Sequence, residues 1–386
     1  MSTIARDRVR AVAAEIGAAV AGPAADEVDR DARFPRESFD ALRDAGLLGA
    51  FVPTALGGGG ATIVDMADAC EELGRNCAST GLIFAMHQIQ VDCLVRHGRN
   101  VGLQAFTTEV ARGGLLLASA TTEKGVGGDV RSSVCAIERD GDRYSLTKDA
   151  PVISYGEEAD AILATARTHS EAPASDQVLV VCRRGDVELE PNGSWDTLGF
   201  RGTCSLGFVL RASGASTEVL DDPYSDISSQ TMLPTSHVLW SSVWLGIASA
   251  AVSKARAYVR AEARKKVGTV PPAATRLAEL VAVHQQLVDA VHAARERYHA
   301  ARDDDRALTS MGFAIEMNGL KVAASTMTIE IVNRALAVCG MAGYREDSPF
   351  SMGRLLRDAH GAQLMINNDR ILGHNAQMLL VAKEEA

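Results

Sequence analysis

The sequence predicts an α+β protein of three parts: an N-terminal helical domain over residues 1–113, a small β-barrel or sheet domain over 114–226, and a C-terminal four-helix bundle over 227–386. Three observations lead to this fold class. The chain has 386 residues, which is too many for a single hydrophobic core. Apolar residues recur with a helical period at both ends of the chain and alternate in short runs between them. Aromatic residues make up only 5%, while Ala, Leu and Val are abundant, which favours helices.

The segment FPRESFDALRDAGLLG shows how the first domain is predicted to fold. Pro35 suits the first turn of a helix, Phe39 and Leu42 share one face, and Gly46 can end the helix. The run GGGG at 57–60 is predicted to be a turn between helices, because a phosphate loop would continue with Lys and Ser or Thr. The first residues, MSTIARDRVRAVAAEIG, form an amphipathic helical pattern rather than a signal peptide.

The middle part is predicted to consist of short strands. VCAIERDGDRYSL has the pattern of a hairpin, with Asp140 and Gly141 at the turn and alternation on both sides. Further strands are predicted for AILATA, QVLVVC, VELE and LGFVLRA. LDDPYSD, at 220–226, is predicted to be a linker.

The last part is predicted to contain four long helices. Helical spacing runs through VLWSSVWLGIASAAVSKARAYVRAEARKK, RLAELVAVHQQLVDAVHAARERYHAA and MNGLKVAASTMTIEIVNRALAV, and a fourth helix follows Arg357. Short links between them favour a bundle, whose interior is a usual place for a buried cofactor.

Composition excludes several classes of function. The net charge of −10 is scattered, whereas nucleic-acid binding needs clustered Lys and Arg. The seven cysteines are odd in number and form no CxxC pair, so a zinc ribbon or disulfide framework is not expected, and a metal site is not predicted. We therefore expect a reducing, cytoplasmic location. No apolar run reaches about 18 residues, so no membrane span is predicted.

Several strings, in order along most of the chain, resemble motifs of the acyl-CoA dehydrogenase superfamily. The segment containing FPRESFDALRDAGLLGAFVPTALGG resembles the family's entry segment, and TTEKGVGGD resembles its TEPGAGSD loop. The other similar strings are VISYG, LGFRGT, ARKKVG, CGMAGY and RLLRDA. The resemblance implies the same order of domains that the apolar periods predict.

The resemblance also implies a bound FAD in a crevice between the β-domain and the bundle, and assembly into a homodimer or homotetramer. A Gly-rich turn can present backbone N–H groups to a flavin, Ser154 offers a hydroxyl, and Arg264 can bond a pyrophosphate in the neighbouring subunit. Read alone, these residues would be an ordinary turn, a strand-end serine and a surface arginine. The cofactor contacts implied are Thr122, Gly127, Gly128, Ile153, Ser154, Arg264, Gly340 and Asn368.

The chain departs from the family at the catalytic base. Members of the family remove the α-proton of an acyl thioester with a glutamate, and the two positions where it usually stands hold Ile366 and Ser236 here. Three residues are candidates to replace it. Asp369 falls near the same helix face as Ile366, His237 borders Ser236, and His87 belongs to a helix that faces the acyl pocket in the family. A purely structural role is the alternative for each.

Two tryptophans are candidates to line the substrate pocket. Trp240 and Trp244 lie one turn apart on the first bundle helix and are predicted to line the substrate pocket, with core packing as the alternative. Either arrangement would narrow an acyl channel. Glu123, in the loop motif, is interpreted as structural.

The resemblance therefore predicts an FAD-dependent oxidoreductase that removes the α- and β-hydrogens of an acyl thioester, carried by CoA or a carrier protein, with a relocated or absent carboxylate. An unusual acyl group would fit specialised, secondary metabolism. The alternative is a flavin-dependent monooxygenase that hydroxylates carbon or nitrogen on the same fold. A third possibility is a subunit that binds without catalysing. The sequence leaves the acyl group and the electron acceptor open.

Overall fold

The computed structural model describes residues 3–127, 129–265 and 268–382. The N-terminal part is helical. Its helices are α1 (Val9–Ile16), α2 (Gly22–Arg30), α3 (Arg36–Asp44), α4 (Ile63–Asn76), α5 (Ala78–His97) and α6 (Val101–Gly113).

Local chemistry sets the ends of these helices as the sequence predicts. Helix α3 starts directly after Pro35, buries Phe39 and Leu42, and is followed by Gly46 at φ 74°. Helix α4 begins with a capping box, in which Thr62 accepts from the Asp65 N–H and the Asp65 carboxylate accepts from the Thr62 N–H. The GGGG run lies in the turn before it.

The middle part forms two small sheets. The strands are β1 (Leu117–Ala120), β2 (Glu138–Asp140), β3 (Arg143–Ala150), β4 (Ala161–Arg167), β5 (Gln177–Arg183), β6 (Val187–Pro191) and β7 (Phe208–Ala215). A three-stranded sheet has the order β1–β4–β5, with β1 parallel to β4 and β4 antiparallel to β5. A four-stranded antiparallel sheet has the order β2–β3–β7–β6.

The predicted hairpin is the β2–β3 pair. Asp140 pairs with Arg143, and Gly141 at the turn has φ 57°. Strand β3 alternates between exposed and buried residues, because one face of its sheet is solvated. Strand β4 is buried along almost its whole length, since it is the central strand of its sheet.

The C-terminal part is built on three long helices packed on one another, α8 (Leu233–Lys265), α9 (Ala273–Ala301) and α11 (Met311–Cys339). Its other helices are shorter: α7 (Tyr224–Ile227), α10 (Asp305–Leu308), α12 (Met341–Tyr344), α13 (Gly353–Leu364) and α14 (Asn368–Leu379). The single fourth helix expected after Arg357 is in fact two helices. The helix is interrupted at Ile366, which has φ 48°. Asn367 then caps α14, with its side-chain oxygen accepting from the Asp369 N–H.

The linker expected at 220–226 is shorter than predicted, because helical structure already begins at Tyr224. Two stretches, Tyr224–Lys265 and Met311–Cys339, have the length and composition of a membrane span, which the search for apolar runs in the sequence did not find. Their most apolar windows are 78% and 44% buried within the protein, and core helices have the same composition.

Candidate active site

A cavity of about 190 Å³ lies where the N-terminal helices, the β-domain and the bundle meet. Helix α5 contributes one face to it, with Met86, Ile89 and Gln90 at helical spacing. Helix α8 and the helical segment before it, residues 224–232, contribute a second wall, and the β-domain contributes a third. The cavity therefore occupies the crevice in which the resemblance places a flavin and its substrate.

Most of the surface area of the cavity wall is apolar, and the polar groups in the wall are neutral. The hydrocarbon, thioether and indole groups are Met86, Ile89, Val130, Val152, Met232, Leu233, Trp240 and Ile366. The hydroxyl and amide groups are Gln90, Ser119, Thr121, Thr122, Ser154, Tyr224, Ser228 and Ser236. Tyr224 is the most acidic of these by chemistry, but burial raises the pKa of its phenol, so it stays protonated at neutral pH.

The predicted flavin contacts on the β-domain are partly in this wall. Thr122 lines the cavity and donates its hydroxyl to the carbonyl of Val152 at 3.1 Å. Ser154 also lines it, and its hydroxyl oxygen lies 2.8 Å from that of Ser205, within hydrogen-bond distance. The side chain of Ile153, between the lining residues Val152 and Ser154, is fully buried, and its expected contact with a flavin stays a prediction.

Glu123 holds the loop that carries Thr122. Its carboxylate accepts from the backbone N–H of Cys135 at 2.6 Å, from the Ser133 hydroxyl at 2.7 Å and from Lys148 Nζ at 3.0 Å. Although burial alone would raise the pKa of Glu123, Lys148 and these donors hold it below its usual value. The structural interpretation of Glu123 thus fits its contacts.

Beyond Glu123 the loop turns through two glycines with positive φ, Gly125 at 95° and Gly127 at 59°. A Cβ on Gly127 would meet no atom within 4 Å, so this turn is open to a ligand. Arg370 of α14 bonds the Gly127 carbonyl and ties the loop to the bundle. The predicted contact Gly128 lies outside the described residues.

Two other predicted flavin contacts are not among the residues that line this cavity. Arg264 is exposed at the end of α8, where it could reach a second molecule, and its role stays a prediction. Gly340 lies between α11 and α12 with φ 56° and ψ −135°, a conformation that only glycine adopts without strain.

The turn at Ile366 is held by a lysine that the sequence analysis missed. Lys321 is completely buried on α11, and its Nζ donates to the Ile366 carbonyl at 2.6 Å and to Asn368 Oδ1 at 2.7 Å. Asn368 in turn donates to the Ser325 hydroxyl at 3.1 Å. Asn368 therefore holds the turn together instead of lining the cavity. The signal in the sequence that could have identified Lys321 was a lysine among neighbours that are buried, Leu320, Ala324 and Ser325.

These contacts place an unusual residue at one of the two positions where the family has its glutamate. Ile366 lines the cavity with a positive φ of 48°, which is strained for a β-branched residue. Its carbonyl accepts a hydrogen bond from the buried Lys321. Burial lowers the pKa of Lys321 to about 8, and both hydrogen-bond acceptors are neutral. Ser236, the second position, also lines the cavity and donates its hydroxyl to the Met232 carbonyl.

Among the described residues, the three candidate bases lie outside the cavity wall. His87 accepts from the Leu117 N–H at Nδ1 (3.0 Å) and donates from Nε2 to the Leu48 carbonyl (2.9 Å), and burial lowers its pKa to about 4. Both ring nitrogens are therefore occupied by backbone. Asp369 is an exposed residue in the first turn of α14.

His237 is also buried and neutral. Its Nδ1 donates to the Met317 carbonyl at 3.0 Å, and burial lowers its pKa to about 3. An imidazole of such low pKa is a weak base at neutral pH. The contacts of all three residues thus agree with the structural alternative.

The structure separates the two tryptophans. Trp240 lines the cavity, with its ring centroid 6.4 Å from that of His237. Trp244, one turn on, is fully buried in the core, with Lys321 Nζ 5.8 Å from its ring centroid. Of the two tryptophans, Trp240 is among the described residues of the cavity wall, and Trp244 has the contacts of the core-packing alternative.

The motif RLLRDA fastens the three parts of the chain together. Arg357 pairs with Asp29 of α2, and Asp358 accepts from the Phe200 N–H of the β-domain at 2.7 Å. Burial raises the pKa of Asp358 to about 6. The motif thus has a structural role at some distance from the cavity.

The comparisons with known proteins agree with this architecture. Residues 3–114 match the acyl-CoA dehydrogenase N-terminal domain, and residues 228–366 match the acyl-CoA dehydrogenase C-terminal domain. The chain belongs to the acyl-CoA dehydrogenase superfamily. A probable acyl-CoA dehydrogenase of Bacillus subtilis, YngJ, is 26% identical over 87% of this chain and 87% of its own length.

Solved structures share the fold. Dibenzothiophene monooxygenase (TdsC) from Paenibacillus sp. A11-2 superposes with a TM-score of 0.83 at 20% identity, covering 97% of both chains. Butyryl-CoA dehydrogenase from Megasphaera elsdenii gives a TM-score of 0.81 at 20% identity, covering 97% of this chain and 98% of the other.

The superfamily member described here is a flavoprotein oxidoreductase, and FAD is the flavin typical of its family. The cavity suits such a group. Ser154 presents a hydroxyl group, Trp240 Nε1 is buried without a partner among the described residues, and the glycine turn at Gly125 and Gly127 leaves backbone accessible. These groups could hold the ring edge of a flavin and a substrate beside it.

Proposed function

We propose that this protein is a flavin-dependent monooxygenase that oxygenates a compact, uncharged substrate, which is the alternative to the thioester dehydrogenation that the sequence predicts. The observation that carries the proposal is the chemistry of the cavity wall, which consists of hydrocarbon, thioether, indole, hydroxyl and amide groups. Removing an α-proton from a thioester needs a base whose pKa lies near the working pH. Oxygen transfer to an electron-rich carbon or nitrogen has no such requirement.

A bound, reduced flavin would supply two electrons to O₂, with one oxygen atom entering the substrate and the other leaving as water. The protein's own residues would position the substrate and exclude solvent. Met86, Ile89 and Leu233 give the cavity an apolar wall, and Ile366 closes it where a dehydrogenase would present its glutamate. A reductase that uses NADH or NADPH would return the flavin to its reduced state.

The second candidate is dehydrogenation of an acyl thioester carried by CoA or a carrier protein. It is favoured by the curated relatives, such as YngJ, which are named as acyl-CoA dehydrogenases. The fold is compatible with both chemistries, since both a monooxygenase and a butyryl-CoA dehydrogenase have it. This activity would need a substrate whose α-proton is already acidic, or a base from outside the cavity wall.

The test compares the two reactions on the purified flavoprotein. In one arm, acyl thioesters are added without oxygen and the absorbance of the oxidised flavin is followed. In the other arm, a reductase, NADH and ¹⁸O₂ are supplied with neutral aromatic and heterocyclic compounds, and products are analysed by mass spectrometry. We expect ¹⁸O in a product and no anaerobic bleaching. Bleaching by a thioester, without ¹⁸O in any product, would overturn the proposal.

A variant sharpens the test. Ile366→Glu restores a carboxylate at one usual position of the base, and Ile366→Gln is its uncharged control of the same size. If the missing carboxylate is what separates this protein from the dehydrogenases, only the Glu variant should gain bleaching by acyl thioesters. Bleaching of the parent protein to the same extent would favour dehydrogenation.

We also propose that the protein assembles as a homodimer or homotetramer in which Arg264 reaches the partner's flavin. Exposed apolar side chains on the bundle support an interface: Met341 is 70% exposed, Tyr344 73% and Leu364 72%. Light scattering coupled to size-exclusion chromatography would measure the mass. A monomer at micromolar concentration would contradict the proposal.

A further inference from the structure

Among the residues that the structure describes, two polar side chains of the cavity wall each have a buried polar atom without a hydrogen-bond partner. Gln90 is only 3% exposed and its Oε1 is unpaired. Trp240, which faces the same cavity from α8, has an unpaired Nε1. An unpaired buried polar atom costs about 1–3 kcal/mol, so two at one site indicate a ligand that pairs them.

The neighbouring hydroxyl groups differ in this respect. Thr122 donates to the Val152 carbonyl, Ser236 donates to the Met232 carbonyl, and the Ser154 hydroxyl lies within hydrogen-bond distance of that of Ser205. Their hydrogen bonds are already made within the protein. Among the described residues of the wall, the buried polar atoms without a partner are thus those of the indole and the amide.

We propose that Gln90 and Trp240 form a recognition pair for a neutral substrate that carries a hydrogen-bond donor and an acceptor on an apolar skeleton, such as a lactam or carboxamide. The indole N–H can only donate, so it requires an acceptor on the ligand. The amide oxygen of Gln90 requires an N–H or O–H. The apolar side chains around them, such as Met86 and Leu233, fit a hydrocarbon body, and the lack of a charged group in the described wall disfavours an ionised ligand.

This inference deepens the proposed function, because it names the class of substrate for the same cavity. It rests on that function only in taking the cavity as the substrate site. Binding can be measured on the oxidised holoenzyme without reductant, so a failure here is distinct from a failure of the oxygenation test.

The probes are 2-quinolone, a bicyclic lactam, and naphthalene, which has a similar shape and no polar atom. Isothermal titration calorimetry on the oxidised holoenzyme should show tighter binding of 2-quinolone. Gln90→Leu and Trp240→Phe should each weaken the binding of 2-quinolone about tenfold, the loss expected for one buried hydrogen bond. Neither substitution should weaken the binding of naphthalene.

Trp244→Phe is the matched control, since it makes the same change one turn along the same helix, in the core and away from the cavity. It should leave the affinity for 2-quinolone within about twofold. The proposal is overturned if the parent protein does not prefer 2-quinolone, including the case in which neither probe binds. It is also overturned if Trp240→Phe weakens both probes equally, because the tryptophan would then act by packing alone. Trp240→Phe decides the matter if Gln90→Leu does not fold.

Discussion

Replacing Lys321 with methionine should change the pH dependence of stability in a defined direction. The side chain is completely buried, and burial lowers its pKa from 10.5 to about 8. The unfolded chain therefore binds more protons than the native state between pH 8 and 10.5. The free energy of unfolding should accordingly rise with pH across this window.

The size of the effect follows from the displacement of the pKa. A difference between 10.5 and about 8 corresponds to about 3 kcal/mol of destabilisation by the buried ammonium at neutral pH. Between pH 7 and 9.5, about 2 kcal/mol of this is recovered as the lysine loses its proton in the native state. The Lys321→Met variant has no proton to lose and should not show this gain.

The assay is urea denaturation of the holoenzyme at pH 7, 8, 9 and 9.5, followed by fluorescence. The quantity compared is the change in stability with pH, parent minus variant, so that other titrating groups cancel. Lys124→Met, at a partly exposed lysine that pairs with Asp149 at 3.0 Å, controls for the loss of a positive charge as such. Parallel pH profiles of the parent and Lys321→Met would refute the reasoning.

Three further predictions concern the fold. Asp358→Asn keeps an acceptor for the backbone but cannot ionise. Since burial raises the pKa of Asp358 from 3.8 to about 6, the parent should lose about 2 kcal/mol relative to this variant as the pH rises from 3.8 to 6, and equal slopes in denaturant titrations would contradict this. Gly340→Ala should lower the free energy of unfolding by about 1–3 kcal/mol through backbone strain, whereas Gly319→Ala, at an exposed position in the middle of α11, should be neutral or stabilising. Thermal midpoints of the two variants check both, and equal shifts would count against the strain argument. Lys148→Met should destabilise the protein by about 3–5 kcal/mol, because it leaves the Glu123 carboxylate buried without its counter-charge. The double variant with Glu123→Gln should be less destabilised than the sum of the two single variants, and strict additivity in that cycle would show that the pair does not interact.

Local patterns in the sequence predicted much of the fold, because short-range chemistry decides them. The hairpin at Gly141, the helix end at Gly46 and the buried face of Phe39 and Leu42 each depend on residues close in the chain. The break at Ile366 was missed, because no glycine or proline marks it. It depends on Lys321, which is 45 residues away in the chain.

The sequence alone also determined that no glutamate occupies either position usual for the family, since this depends only on the identities of Ile366 and Ser236. It could not decide which neighbouring side chain would face the cavity. Helices α5 and α8 are buried on nearly every face along the cavity, so their apolar period does not distinguish the side toward a ligand from the side toward the core. Trp240 and Trp244 look equivalent in the sequence. Only the packing of three separate parts of the chain around one crevice decides which of them meets a ligand, because that crevice is made by contacts between residues far apart in sequence.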